Sequence, residues 1–169
     1  AIHTTLPLLV RRAVAVAVGR GMLNLSTHDF RERDRVPVPP LVLSGITVDG
    51  LVINCEPRLV SAETMRWPTF HNACAAALRF LPLSSSENGS IPRHWIVHQA
   101  RDTQHRAGVL LAVGLLGHLS SLQLTDIYSI FVAPSAQDPQ REPLTIAMLL
   151  GLGCSFRRTR SEAVFRCLA

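Results

Sequence analysis

His71 and Cys74 lie three residues apart in the stretch WPTFHNACAAAL, and both residue types bind metal ions in proteins. Side chains three positions apart share one face of a helix, so the pair could supply two ligands to one site. The sequence completes no zinc motif around them, because none of the four cysteines belongs to a C-x-x-C pair. We therefore interpret Cys74 as a small core residue and His71 as a residue near a helix start, and we expect no metal site.

Two patterns that are typical of enzymes are incomplete in this chain. Gly19 and Gly21 begin a G-x-G-x-x-G pattern, but Asn24 stands where the third glycine belongs, so a glycine pair in a turn is the better interpretation. We also identify no nucleophile in the sharp strand-turn-helix motif that exposes a catalytic serine. The sequence therefore predicts no catalytic residues and no cofactor.

The composition favours a folded domain that does not cross a membrane. Hydrophobic residues make up 47% of the 169 residues, but charge or glycine interrupts the apolar runs before they reach the roughly 20 residues that a span needs. The net charge of +5 is carried by arginines that cluster only loosely, which argues against a nucleic-acid surface. The two loose clusters are Arg31, Arg33 and Arg35, and Arg157, Arg158 and Arg160. The scattered cysteines favour a reducing, intracellular environment.

Two parts of the chain differ in their hydrophobic pattern. Residues 1–65 contain the partly alternating stretch RRAVAVAVGRGMLNLS and the valine-rich VPVPPLVLSGITVDGLVINC, which predict strands with Gly45 and Gly50 in turns. Alanine-rich and leucine-rich helical patterns dominate residues 66–169, and the first helix is expected to begin at Pro68. We therefore predict an extended, strand-containing segment followed by a helical region.

The helical region repeats with an offset of 37 residues. The stretch AGVLLAVGLLG from Ala107 aligns with LTIAMLLGLGC from Leu144, which places Gly114 on Gly151, and one step back places Ala77 on Gly114. The same offset aligns DIYSIF with AVFRCL. Each unit combines an apolar helix rich in small residues, a polar turn and an amphipathic helix, which is typical of helical-hairpin repeats. The sequence thus predicts a mainly α-helical fold, an α-solenoid of about two and a half hairpins.

Small residues in these helices have a predicted packing role. A glycine in a helix interior costs roughly 0.5–1 kcal/mol relative to alanine, so its presence needs a reason. When hairpins stack side by side, glycine or alanine lets neighbouring backbones approach closely. We assign this role to Ala77, Gly108, Gly114, Gly117 and Gly151.

Large aromatic residues flank the first helical stretch. Trp67, Phe70 and Trp95 lie close to the predicted boundary between the two parts of the chain. Aromatic side chains bury a large area each, so we expect these three to dock the extended segment onto the helices.

Several of these stretches occur together, and in this order, in one known family. They are VGRGM at 18–22, VPVPPLVLSG at 36–45, WPTFHNACAAAL at 67–78, WIV at 95–97 and AGVLLAVGLLGHL at 107–119. The chain resembles the family of largest subunits (subunit 1) of the anaphase-promoting complex, or cyclosome, where the middle region enters the proteasome/cyclosome (PC) repeats. This family usually has glycine at the positions of Ala73 and Ala77, a departure that alters how closely the first hairpins stack.

The resemblance implies a scaffold, not an enzyme. It implies repeats that close into a toroid, a chain that is a fragment of a longer protein, and a place in a multisubunit cullin-RING ubiquitin ligase that drives the metaphase–anaphase transition. The implied partners are cullin-like, RING and tetratricopeptide-repeat subunits and the coactivators of the complex, with no membrane and no nucleic acid. The implied location is the nucleus and cytoplasm.

Two other functions remain open at this stage. Glycine-rich helical repeats also occur in two large non-ATPase subunits of the proteasome regulatory particle, so the first alternative is a scaffold of that particle. The second is an arginine-rich nucleic-acid-binding module, whose affinity would depend strongly on salt.

Overall fold

The computed structural model describes residues 35–55, 60–80, 83, 89–98, 102–132, 141–159 and 161–168. Within these ranges the chain forms a small sheet followed by six α-helices, as the sequence predicts for a mainly helical fold. The strands are β1 (Leu43–Ile46) and β2 (Val52–Cys55); the helices are α1 (Ala62–Ala77), α2 (Arg93–His98), α3 (Thr103–Leu115), α4 (Leu124–Val132), α5 (Glu142–Ser155) and α6 (Glu162–Leu168). The predicted strands in RRAVAVAVGRGMLNLS and the Gly19–Gly21 pair lie outside the described residues. None of the helices in the described ranges is long and apolar enough to cross a bilayer.

The two strands form an antiparallel hairpin. Ile46 pairs with Val52, and the Thr47 amide donates to the Leu51 carbonyl at 2.9 Å to close the turn. Gly50 lies in this turn with a φ of +80°, a conformation that glycine adopts without steric cost. The expected turn at Gly45 is wrong, because Gly45 lies within β1 opposite Ile53.

Helix α1 begins earlier than Pro68, so that prediction is wrong. The Ser61 hydroxyl accepts a hydrogen bond from the Thr64 amide at 3.2 Å, and Glu63 places a negative charge at the positive end of the helix dipole. Pro68 lies inside the helix, where its ring removes one backbone donor. The helix therefore crosses the predicted boundary between residues 65 and 66.

The helices lie in two rows. The inner row consists of α1, α3 and α5, in which α3 packs against both of the others. The outer row consists of α2, α4 and α6, and α4 contacts α6. The largest fully buried side chains include those of Ile96, Leu110, Leu119, Ile127, Met148 and Leu152. They come from both rows and from the 3-10 turn that follows α3, so the core is continuous from α1 to α5.

An ion pair between a half-exposed arginine and a buried aspartate joins two helices of the outer row. The guanidinium of Arg93, at the start of α2, donates to both carboxylate oxygens of Asp126 at 2.5 and 2.7 Å. The same carboxylate accepts the backbone N–H of Gln123 just before α4, at 2.9 Å. Hydrogen bonding to Arg93 lowers the pKa of Asp126, although burial opposes the shift. The carboxylate is therefore held ionised at a position where its side chain is only 10% exposed.

Cys74 of α1 lies in the core. Cys74 is fully buried, and burial raises the pKa of its thiol to about 12. Cys154, on α5, is exposed. Because the thiolate is the nucleophilic form, the two cysteines differ in reactivity.

We predict that Asp126→Asn destabilises the chain in a pH-dependent way. The folded-state pKa of Asp126 is depressed, so its contribution to the free energy of unfolding is present above the unfolded value near 4 and is lost as the pH falls through the folded value. Urea titrations at pH 7 and at steps towards pH 3 should show the largest difference between variant and parent at pH 7. A difference that stays constant with pH would contradict this account.

Glu162→Gln is the matched control for Asp126→Asn. Glu162 pairs with Arg166 at 2.6 Å, but both side chains are about three-quarters exposed. Exposed pairs contribute less than about 1 kcal/mol, so this variant should unfold close to the parent at every pH.

We also predict that Cys154 is alkylated by iodoacetamide at neutral pH before Cys74. Peptide mass spectrometry after timed labelling of the native chain should show modified Cys154 first, and modified Cys74 only after denaturant is added. Equal labelling rates in the native chain would show that the Cys74 thiol is not protected.

Candidate functional site

The backbones of two inner helices touch where two glycines meet. A methyl group built on Gly114 of α3 would lie 2.3 Å from the Cα atom of Gly151 on α5, far inside van der Waals contact. A methyl group built on Gly151 would lie 2.9 Å from a Leu119 methyl group and 3.3 Å from the Leu110 carbonyl oxygen. The Ser155 hydroxyl donates to the Gly114 carbonyl oxygen at 2.8 Å across this contact. Only glycine fits at position 114 without separating the two helices.

A second close approach joins α3 to α1. A methyl group on Gly108 would lie 2.2 Å from the Phe70 carbonyl oxygen and 2.8 Å from the Cys74 backbone nitrogen. The Ala73 methyl would be 2.9 Å away. Helix α3 is therefore held against a neighbouring backbone on both sides, by a different glycine on each.

The remaining small residues of the predicted set lie in other settings. Ala77 is fully buried at the last position of α1. Gly117 lies just beyond the end of α3 with a φ of +91°, outside the helix interior. The left-handed backbone at Gly117 ends the helical path, as glycine commonly does at this position. A methyl group built on Gly117 would lie 3.4 Å from the Leu83 Cβ, an ordinary contact distance.

The three aromatic residues form two separate ring pairs. Phe70 is buried and lies edge-on to Trp67 at 5.4 Å between ring centroids. Trp95 is buried and lies edge-on to Phe80 at 5.7 Å. Each geometry is one that favours attraction between aromatic rings.

A residue that the sequence interpretation missed contacts the extended segment directly. The Asn72 amide donates to the Pro39 carbonyl oxygen at 2.7 Å. Val36, which precedes Pro39 in the same extended segment, is buried. Asn72 stands in the FHN stretch, but a single asparagine on a helix carries no local signal for such a contact.

Two arginines outside the predicted set also join helices. Arg141 is buried and donates to the carbonyl oxygens of Ile130 and Phe131, which caps the end of α4. Arg66 of α1 pairs with Glu142 at the start of α5, at 3.0 Å. Together with Arg93 and Asp126, these contacts connect helices that are far apart in the sequence.

His71 and Cys74 are poorly suited to hold a metal. A thiol binds metal as the thiolate, and burial strongly favours the neutral thiol of Cys74. Burial lowers the pKa of His71, which favours the neutral, metal-binding imidazole, so it is Cys74 and the absence of further ligands among the described residues that disfavour a metal site. Across the described ranges, no group of three or more histidine, cysteine, aspartate or glutamate side chains is arranged to hold a metal ion. The geometry of the described region is that of helix packing.

Comparison with known proteins identifies the family to which the chain is similar. Residues 2–157 match the model of a family described as the APC1 fourth domain. The chain is 33% identical over 150 residues to the anaphase-promoting complex subunit 1 of Arabidopsis thaliana, which covers 86% of the chain and 8% of that protein. The human protein of the same name is 28% identical over 173 residues, and that of Dictyostelium discoideum is 27% identical over 173 residues.

These matches cover the chain almost completely but only a small part of each relative. The human protein is covered over 8% of its length and the Dictyostelium protein over 7%, while 95% and 99% of the chain are covered. The family match includes β1, β2 and all helices up to α5. The chain belongs to the family of the APC1 fourth domain.

Proposed function

We propose that the chain is part of a non-catalytic scaffold subunit of an anaphase-promoting complex, a multisubunit cullin-RING ubiquitin ligase. The observation that carries the proposal is the family match over residues 2–157, supported by relatives named anaphase-promoting complex subunit 1 in plants, amoebae and animals. In this role the chain supplies a shaped surface, and other subunits supply the ubiquitin-transfer chemistry.

The proposed architecture is a solenoid of PC-type hairpins that continues towards a closed toroid. The helix pairs α1–α2, α3–α4 and α5–α6 would each form one hairpin, with an inner and an outer helix. Support comes from the 37-residue offset, which relates Gly114 to Gly151 in sequence, and from the contact between these glycines in space. The extended segment, residues 1–65, would precede the repeats in residues 66–169.

The small residues would set the spacing of the inner row in this architecture. Gly108 and Gly114 would fix the separation of α3 from α1 and α5, with Gly151 completing the second contact and Ala77 the first. Repeats that stack in contact with their neighbours form an extended rigid surface, which suits a subunit that must hold others at fixed positions. Trp67, Phe70 and Trp95 would hold the extended segment against the first hairpin, beside the Asn72 contact to Pro39.

The proposed partners are the cullin-like, RING and tetratricopeptide-repeat subunits of the complex and its coactivators, in the nucleus and cytoplasm. To test this, we would tag the protein that carries this sequence at its own gene and purify it from dividing cells for mass spectrometry. Cullin-like, RING and tetratricopeptide-repeat proteins should co-purify. Recovery of proteasomal ATPases instead would assign the scaffold to the proteasome regulatory particle.

A glycine substitution tests the proposed spacing role. We predict that Gly114→Ala lowers the free energy of unfolding by about 2 kcal/mol or more, because the added methyl group forces two backbones apart. Chemical denaturation of the 169-residue chain, followed by circular dichroism, measures the change.

Gly153→Ala is the matched control on the neighbouring helix. A methyl group at Gly153 meets nothing within 4 Å, and alanine favours helix over glycine by about 1 kcal/mol. This variant should be as stable as the parent or more stable. If Gly114→Ala behaved in the same way as Gly153→Ala, the proposed role of Gly114 would be excluded.

A further inference from the structure

Three large apolar side chains of the outer row are exposed to solvent. Tyr128 of α4 is 63% exposed, Phe165 of α6 is 72% exposed and Leu124 of α4 is 43% exposed. Leu124 and Tyr128 are four residues apart, so they share one face of α4. We call these three residues the outer apolar surface.

Comparing positions 37 residues apart distinguishes the outer apolar surface from the faces along which neighbouring helices stack. Leu149 and Leu150 of α5 are also exposed, but 37 residues earlier stand Ala112 and Val113 of α3, which are fully buried. Leu149 and Leu150 therefore lie on the face of α5 that corresponds to the stacking face of α3, where a neighbouring inner helix packs.

Phe165 differs from those leucines. Its counterpart 37 residues earlier is Tyr128, which remains mostly exposed although the neighbouring outer helix α6 packs against α4. The stacking of a neighbour thus leaves this repeat position open. Tyr128 and Phe165 occupy the same repeat position on adjacent helices, whose axes lie roughly 10 Å apart in ordinary helix packing.

The charges beside this surface are positive. Phe165 lines a cavity of about 420 Å³ together with Phe156 and Thr159, which places the turn that holds Arg157 and Arg158 beside it. Both arginines are exposed, and neither is in an ion pair with the described residues.

The nearby carboxylates do not balance these arginines. Asp126 is bound by Arg93, and Glu162 is bound by Arg166. An apolar surface flanked by two guanidinium groups that pair with no carboxylate in the described part of the chain favours a partner that combines apolar side chains with carboxylates.

We infer that the outer apolar surface binds an acidic, apolar segment of another subunit. Apolar side chains of that segment cover Leu124, Tyr128 and Phe165, and its carboxylates meet Arg157 and Arg158. This inference rests on the proposed scaffold function, because it requires the assembled complex.

Photo-crosslinking in the assembled complex tests the inference. The protein that carries this sequence is produced with p-benzoylphenylalanine at position 128 or 165, a change from one aromatic side chain to another, and the complex is purified, irradiated and analysed by mass spectrometry. Both positions should crosslink to one segment of a single other subunit, with carboxylates beside apolar residues. Arg157→Glu with Arg158→Glu should reduce the yield at least fivefold, whereas Arg35→Glu should leave it unchanged.

The possible outcomes separate the two proposals. If cullin-like and RING subunits co-purify, three crosslinking results overturn the inference while the scaffold function stands. The first is that no crosslinks form, and the second is that the two positions crosslink to the same polypeptide or to a second copy of it. The third is that they crosslink to a segment without carboxylates. A yield unaffected by the double charge reversal also overturns it. If those subunits do not co-purify, the scaffold function itself has failed.

Discussion

The contact between Gly114 and Gly151 constrains the rest of the described structure. Two helices whose backbones touch cannot slide or rotate freely, because any side chain at the contact would push them apart. Gly108 applies the same constraint on the opposite side of α3. Because α3 is fixed on both sides, the inner helices have one relative position. The outer helices are joined to them by loops, so their positions depend on that of the inner row. The cost of glycine in a helix is offset by this packing.

Polar contacts then fix the outer row over the inner one. Arg93 and Asp126 join α2 to α4, and Arg141 binds the last carbonyl oxygens of α4 from the start of the next inner helix. The Asp126 carboxylate is buried while Arg93 is half exposed, so removing Arg93 would leave a buried charge without its ion-pair partner. These contacts therefore favour one arrangement of the outer helices.

The sequence analysis singled out Gly114 and Gly151 as candidate packing residues because the repeat contains both of them. Gly114 and Gly151 stand at one phase of a 37-residue offset, so two copies of the pattern support each other. Gly117 lies in the same apolar run, yet whether a glycine adopts a helical or left-handed backbone depends on where the chain turns. Pro68 misplaced the start of α1 because the Ser61 cap seven residues earlier is a stronger signal than the proline. The sequence does not predict the contacts of Asn72, Arg93 and Asp126. Their partners are about 33 residues away, and no local pattern encodes such a contact.

The central claim is that glycine sets the spacing of the inner row, and a direct measurement of that spacing tests it. An experimental structure of the assembled complex, at a resolution that places Cα atoms, would give the separation of α3 and α5 along their length. The account predicts that the two helices come closest at Gly114 and Gly151, with axes nearer than the roughly 8–10 Å of ordinary helix pairs. A larger separation, or a closest approach at another pair of residues, would contradict it.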